Sequence, residues 1–444
     1  MSGPLDRVMA ELATRHPAED RMVPDLVRMT LLLDLLGSPQ RAYPSIHLTG
    51  TNGKTSTARM VDGLLQAANL RTGRYTSPHL QSVTERVVLD GVPLEDDRFA
   101  EVFDEIAPFV QLVDERSVSV EGDRMTFFEV LTALAFAAFA DAPVDAAVLE
   151  VGLGGRWDAT NVVQAQTCVV LPVGMDHAAL LGPTLEDIAA EKAGIVHEGA
   201  TVVLAQQPVE AATVLLRHCA EVGATVAREG LEFGVVDRRT AVGGQLLDLQ
   251  GLHARYDQVF LPLHGAHQAS NAAAALAAAE AFLGDRALDG ELVREGFARV
   301  ASPGRLEVAR TSPTVLLDAA HNPAGMAATV EAVSESFSFT SLVAVVACLA
   351  DKDVEGMLEA LEPAVTAVVV TENASPRRMP VDALHALAVD VFGEDRVTVE
   401  DRLDDALDTA VALAEREAVY GGAGVLVTGS VVTVGEARTL LGRR

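Results

Sequence analysis

Short runs of apolar, often β-branched residues alternate along almost the whole chain with stretches whose apolar positions recur at helical spacing. That rhythm predicts βαβ units, and so a parallel sheet covered by helices on both faces. Residues 46–49, 146–151, 168–173 and 201–205 read as strands, and 55–68, 127–140, 185–194 and 209–222 as the helices between them. Two segments near 245–250 and 258–263 predict a small antiparallel piece, followed by an Ala-rich helix over 267–282. A turn cluster, Ala301-Ser302-Pro303-Gly304, then marks a boundary, which predicts domains at 1–300 and 301–444. Beyond it the rhythm restarts, with strands at 314–319, 342–348, 364–371, 396–399 and 424–428. The second unit, roughly 140 residues, is long enough for a smaller doubly wound α/β domain of its own.

The composition fits this picture. The chain has 444 residues, 49% hydrophobic and 4% aromatic, with 34 basic and 63 acidic side chains for a net charge of −29. Its length provides two or three cores that need no disulfide staples. Cys168, Cys219 and Cys348 are odd in number, far apart and in no ligand spacing, which predicts buried thiols in a reducing compartment. Residues 1–21 contain no apolar signal segment, and the longest apolar runs fall short of the ~20 residues that span a bilayer. The expectation is a cytoplasmic protein with no membrane partner. Duplex nucleic acid is disfavoured too, because no basic cluster offsets the acidic balance.

Of the 34 basic residues only three are lysine: Lys54, Lys192 and Lys352. Where arginine is the default cation, a lysine marks a position that needs a compact ammonium or an amine able to lose its proton. Lys54 falls in Ile46-His47-Leu48-Thr49-Gly50-Thr51-Asn52-Gly53-Lys54-Thr55-Ser56, a strand, a glycine loop and a helix start in that order. Backbone N–H groups there would cradle phosphates, with Lys54 on the β/γ-phosphates and Thr55 or Ser56 toward magnesium. Leu48 stands where the longer form of the motif has its first glycine, so the loop is shortened. A glycine turn alone leaves the lysine unexplained, since a cation at a helix N-terminus opposes the helix dipole.

Three further positions lie at strand ends or on a capped helix. Glu150 closes an apolar run and precedes a glycine turn, placing a carboxylate where α/β sheets bind ligands and metals. His177 follows the next strand, although a lone histidine is more often a plain hydrogen-bonding residue than a ligand. Lys192 lies near the end of a helix capped by Thr184, where arginine would satisfy the dipole equally well.

Together these blocks resemble the folylpolyglutamate synthase/dihydrofolate synthase family of the Mur ligase superfamily. The matching stretches are HLTGTNGKTST (47–57), TSPHL (76–80) with ER (85–86), TFFE (126–129), EVGLGGRWDATN (150–161), and DH (176–177) with LGPTLEDIAAEKAGI (181–195). They continue with HGAHQASNA (264–272), SPGRLE (302–307), DAAHNP (318–323) and DKD (351–353). Each is weak alone, and their order and spacing carry the resemblance. It implies a P-loop-containing, Mur-ligase-like central domain followed by the smaller α/β domain.

The resemblance also implies roles. Gly50, Thr51, Asn52, Gly53, Lys54, Thr55 and Ser56 would hold ATP, joined by Asn271, Arg305 and Asp318. Ser77, Glu150, His177, Lys192 and Thr55 would serve magnesium at two sites, with Lys192 carboxylated by carbon dioxide. Lys54, Lys192, His177, Asp158 and His321 are the expected catalytic residues. Thr126, Phe127, Phe128, Glu129, Arg156, Trp157, Asp158 and Ala159 would face the pterin, while Thr126 and Glu129 also form a helix capping box. Ala319 replaces a usual glycine and Trp157 a common leucine, the second enlarging the pterin side.

The implied reaction joins L-glutamate to a pteroate or folate through an acyl phosphate, in a monomer whose domains close over the site. A cell-wall Mur ligase is the nearest alternative, but only 49 residues precede Gly50, too few for a nucleotide-sugar module. A P-loop switch hydrolysing ATP would leave residues 176–195 unexplained.

Overall fold

The computed structural model describes residues 3–15, 25–119, 122–284, 286–418 and 422–443. Parts of the N-terminal stretch read above for a signal segment, 1–2 and 16–21, lie outside them. Among the described residues no helix is long and apolar enough to cross a membrane.

Three sheets form. The first contains β1 (Ser45–Thr49), β2 (Thr72–Tyr75), β3 (Val87–Leu89), β4 (Val92–Pro93), β5 (Ala146–Glu150), β6 (Thr167–Val170), β7 (Thr201–Leu204) and β8 (Thr225–Arg228). Their spatial order is β4-β3-β2-β5-β1-β6-β7-β8, parallel from β2 to β8 with β3 and β4 antiparallel at one edge. A meander of β9 (Gly234–Ala241), β10 (Gly244–Gln250) and β11 (Arg255–Leu261) makes the second. The third contains β12 (Glu307–Thr311), β13 (Thr314–Leu317), β14 (Ser341–Val346), β15 (Ala367–Val370), β16 (Val397–Val399) and β17 (Ala423–Thr428). It runs β12-β13-β17-β14-β15-β16, with only β12 antiparallel.

Burial follows the alternation within β1. Ile46 and Leu48 belong to the core on one face, while His47 and Thr49 are buried on the other. Helix Ala266–Phe282 is apolar all round because it is enclosed, packed with β10 and β11 residues against helix Lys54–Ala67 in one core. Its run of alanines lets neighbouring backbones come close. The second domain has a separate core on each face of its sheet.

The two halves meet along several edges. Arg238 and Glu335 form a two-pronged ion pair at 2.7 and 2.8 Å, from β9 to helix Pro323–Ser336. On another side the 77–82 segment leans on the C-terminal helix Val431–Leu440. Leu80 joins the second domain's core there, and Gln81 Nε2 donates to Thr439 Oγ1 at 3.0 Å.

Candidate active site

The site grows out of the sheet order. β5, β1 and β6 are adjacent and parallel, with Leu48 beside Glu150 and Thr49 beside Val170. The glycine loop, Glu150 and the 172–177 loop therefore leave the sheet side by side at its carboxyl end, the usual ligand position in α/β folds.

Only glycine fits at two places in that loop. Gly50 has φ +148°, and a Cβ there would stand 2.6 Å from Leu171 Cβ. Gly53 has φ +87°, and its Cβ would meet Asn271 Oδ1 at 2.6 Å. Gly53 caps helix Lys54–Ala67, so the helix N-terminus opens toward the loop. Thr51 stitches it to the neighbouring loop, its hydroxyl donating to Gly174 O at 3.0 Å and accepting from Gly174 N at 2.9 Å.

Lys54 Nζ donates to Gly50 O at 2.9 Å and Thr51 O at 3.2 Å. Burial pushes its pKa down, opposed by the Glu150, Asp176 and Asp158 carboxylates. The Glu150 carboxylate accepts from Thr55 Oγ1 at 2.9 and 3.0 Å and from Ser77 N at 3.2 Å. Burial raises its pKa, with Lys54 pulling the other way.

Lys192 is held by a short helix, Leu185–Ala193, whose Thr184 and Asp187 form a reciprocal capping box. The lysine is buried, and its Nζ donates to Gly50 O at 3.0 Å, the same carbonyl that serves Lys54. Burial, then repulsion from Lys54, pushes its pKa down to about 7. The helix C-terminus thus carries an amine that can be neutral near physiological pH.

The cavity over these groups has a volume of about 420 Å³. From the first half it is lined by residues 50–56, Ser77, Glu150, the 151–154 turn, Asp176, His177, Lys192, His267 and Asn271, and from the second by Arg305, Asp318 and His321. His321 Nδ1 donates to Ala319 O at 2.9 Å, and burial holds its pKa down at about 4. The ring is neutral at pH 7, with Nε2 as an acceptor. The Asp318 carboxylate accepts from Leu306 N, Ala320 N and Thr329 Oγ1 at 2.8 to 3.0 Å, which fixes the loop that carries Arg305. Asn52 and Asn322 exchange side-chain hydrogen bonds at 3.1 and 3.3 Å across the halves, and Asn322 caps helix Pro323–Ser336.

Some sequence expectations fall elsewhere. Asp158, expected to be catalytic, is not among the cavity residues. Its carboxylate is committed to Leu153 N, Thr160 N and Thr160 Oγ1, so it supports the turn. Thr126 and Glu129 form their capping box, and Glu129 also pairs with Arg28 at 3.2 Å. Phe128 packs on Tyr75, and so close to Gly152 that a Cβ there would lie 2.4 Å from its ring. Phe127 lies under the Arg86 guanidinium at 5.2 Å. Trp157 is about half exposed, Ala159 is buried, and Arg156 lies against Gly194. None of these lines the cavity.

The sequence reading placed Asp176 and Lys352 in matching stretches but gave neither a role at the site. Lys352 Nζ crosses from the second half to pair with Asp176 Oδ1 at 2.8 Å, and lies 3.3 Å from His177 Nε2, with both partners of the ion pair largely buried. A signal was present, since Lys352 is the third of only three lysines. What was lacking was the fold that brings residue 352 to residue 176.

Comparison with known proteins agrees with this geometry. Residues 48–279 match the Mur ligase middle domain, and 304–431 the Mur ligase glutamate ligase domain. The dihydrofolate synthase/folylpolyglutamate synthase of Mycobacterium tuberculosis is 51% identical over 96% of this chain and 91% of its own. This chain belongs to the folylpolyglutamate synthase/dihydrofolate synthase family, in the Mur ligase superfamily. The Bacillus subtilis member is 33% identical over 94% of this chain and 95% of its own. The M. tuberculosis folylpolyglutamate synthase solved with ADP superimposes with a TM-score of 0.96 at 51% identity, covering 99% of each chain. E. coli FolC, solved with DHPP and ADP, superimposes with a TM-score of 0.85 at 30% identity, covering 99% of this chain and 98% of its own. Members of this family are ATP-dependent ligases, and the family reading is favoured over the cell-wall alternative.

Proposed function

We propose that this protein is an ATP-dependent acid–amino-acid ligase that adds L-glutamate to a reduced folate, to dihydropteroate, or to both. The observation that carries this is the single cavity in which a glycine loop, Glu150 and a buried lysine face Arg305 and His321 of the second half. The E. coli relative's complex with DHPP and ADP supports a pterin and a nucleotide as ligands. We divide the chain at 300/301, a position between the two family matches. The three thiols are free and buried, supporting a reducing, cytoplasmic setting. Both halves of the chain line the cavity, and we take the protein to act as a monomer.

In the reaction, the acceptor's carboxylate oxygen attacks the γ-phosphorus of ATP and ADP leaves. The glutamate amine then attacks the acyl carbon, and phosphate departs as the amide forms. The loop N–H groups and Lys54 hold the phosphates, and Arg305, from the other half, brings positive charge to the same cavity. Glu150, with the Thr55 and Ser77 hydroxyls, would hold magnesium. The donor set fits, since it is a carboxylate of raised pKa beside two hydroxyl-bearing residues. Among the described residues no three His, Cys, Asp or Glu side chains cluster as a ready-made metal site. His177 lies at the same cavity and would serve the second magnesium site. Lys192 fits carboxylation, because a neutral amine can add carbon dioxide and the resulting anion would draw a cation toward the phosphates. The interdomain contacts at Asn52, Asn322 and Lys352 hold the two halves together beside the cavity, where closure would keep water from the acyl phosphate.

The test is direct. Purified protein with ATP, magnesium and glutamate is offered dihydropteroate and tetrahydrofolate in turn. ADP release that depends on both pterin and glutamate is expected; release with neither present would reject the ligase reading.

A further inference from the structure

We propose that His47, a residue with no assigned role, is a positioning residue for the acceptor side of the site, holding the 152–158 turn through a buried relay that runs to Thr160 and Asp158. The inference rests on the expectation that Arg156 to Ala159 face the pterin, next to the 151–154 turn that lines the cavity. His47 and Thr49 are alternate residues of β1 and point to the same face, beneath the turn. Thr49 reaches it directly, its hydroxyl donating to Gly154 O at 2.8 Å. His47 reaches it in three steps. Its Nε2 lies 2.8 Å from Thr160 Oγ1, Thr160 Oγ1 lies 2.5 Å from Asp158 Oδ1, and Asp158 Oδ2 accepts from Leu153 N at 2.9 Å. Leu153 is one of the cavity residues.

The direction of each bond follows from the chemistry. Asp158 accepts the Leu153 and Thr160 N–H groups, so its carboxylate acts as acceptor and takes the Thr160 hydroxyl proton as well. The Thr160 oxygen is then left to accept, and His47 must donate from Nε2. His47 is therefore the Nε2–H tautomer, with Nδ1 carrying the lone pair. That matches the burial of Nδ1 without a hydrogen-bond partner among the described residues. Burial holds the ring neutral, with a pKa near 3, so the relay keeps this polarity across the working pH range. An apolar residue at 47 would leave the Thr160 oxygen without its donor in a fully buried position, and the loss would be felt at Leu153 rather than at the phosphates.

The test compares His47→Leu with His47→Gln, whose side-chain amide can donate along a similar path, and Thr160→Val with Thr160→Ser, which cuts or keeps the relay one step later. Loss of the relay should raise KM for the pterin acceptor about ten-fold while KM for ATP stays within about two-fold. The Gln and Ser variants should recover most of it. The double variant His47→Leu/Thr160→Val should be no worse than either single one, because both cut one chain. Two measurements need no turnover and so stand apart from the ligase reading. Nitrogen-15 shifts of His47 should show an Nε2–H ring unchanged from pH 5 to 8, and hydrogen exchange at 150–156 should quicken in the Leu and Val variants only. An Nδ1–H ring, unchanged exchange, or equal rises in both KM values would overturn the proposal. Failure of the wild type to ligate, with the ring and exchange results as expected, would instead reject the reading of the reaction.

Discussion

Lys192 gives the sharpest expectation, because its burial should cost stability and yield reactivity in the same place. An ordinary lysine amine has a pKa of 10.5, and this one is pushed down to about 7, first by burial and then by Lys54. Between those values the unfolded chain binds a proton that the folded chain does not, so folding is penalised, and the penalty grows as pH falls from 10.5 to 7. At 1.36 kcal/mol per pH unit it reaches about 5 kcal/mol at pH 7 and stays level below. Lys192→Met keeps an unbranched side chain one atom shorter and removes the charge. Little else is lost, because Gly50 O still accepts from Lys54. After a discount of about 1 kcal/mol for the missing hydrogen bond, the variant should be more stable by about 2 to 4 kcal/mol at pH 6 and no more stable at pH 10.5. Urea unfolding in carbonate-free buffer across that range measures the difference. Ligation should be lost in the same protein, and also in Lys192→Arg, because a guanidinium keeps its charge and forms no carbamate. A variant no more stable than the parent at pH 6, or a fully active Lys192→Arg, would refute the reasoning.

Three more expectations follow from the geometry. Lys352→Met leaves the largely buried Asp176 carboxylate without its cation, with His177 N and Asn322 Nδ2 still donating to it, and should cost about 2 to 3 kcal/mol in thermal or urea unfolding, with Asp176→Asn added to it restoring part of the loss. Glu150→Gln keeps an acceptor for Thr55 and Ser77 but removes the charge, so the magnesium needed for half-maximal rate should rise about ten-fold while the melting temperature holds. Thr126→Ala removes the cap of helix Phe127–Asp141 and should cost about 1 kcal/mol, with Thr126→Ser neutral; a rise in pterin KM in the Ala variant alone, at unchanged kcat, would show that this end of the helix also contacts the acceptor.

The β-rich runs and the helices that follow them were legible because local pattern and tertiary burial agree there. Helix Leu185–Ala193 was expected at 185–194, and helix Phe127–Asp141 at 127–140. Strands β2, β3 and β8 escaped notice: β2 and β8 include Arg74 and Arg228 where the equally short β6 and β7 are unbroken apolar runs after Thr, and β3 has only three residues. So did β9, whose pattern of half-buried and exposed residues has no clean apolar face. Antiparallel edges on both large sheets also went unforeseen, because strand direction is set by pairing with residues far away in the chain.

The candidate site divides in the same way. The glycine loop, Glu150 and Lys192 announce themselves in sequence, because a phosphate cradle needs consecutive residues, and a lysine among arginines is conspicuous by chemistry alone. The fate of Asp158 and of Lys352 was decided only in three dimensions. Asp158 lies in a motif that names it, yet its oxygens are spent on Thr160 and Leu153. Lys352 lies 176 residues from Asp176, yet meets it at 2.8 Å. Short-range order is a property of neighbouring side chains and the bonds between them. Which charged groups face each other across a cleft depends on how two separately packed sheets come together, and no local pattern encodes that.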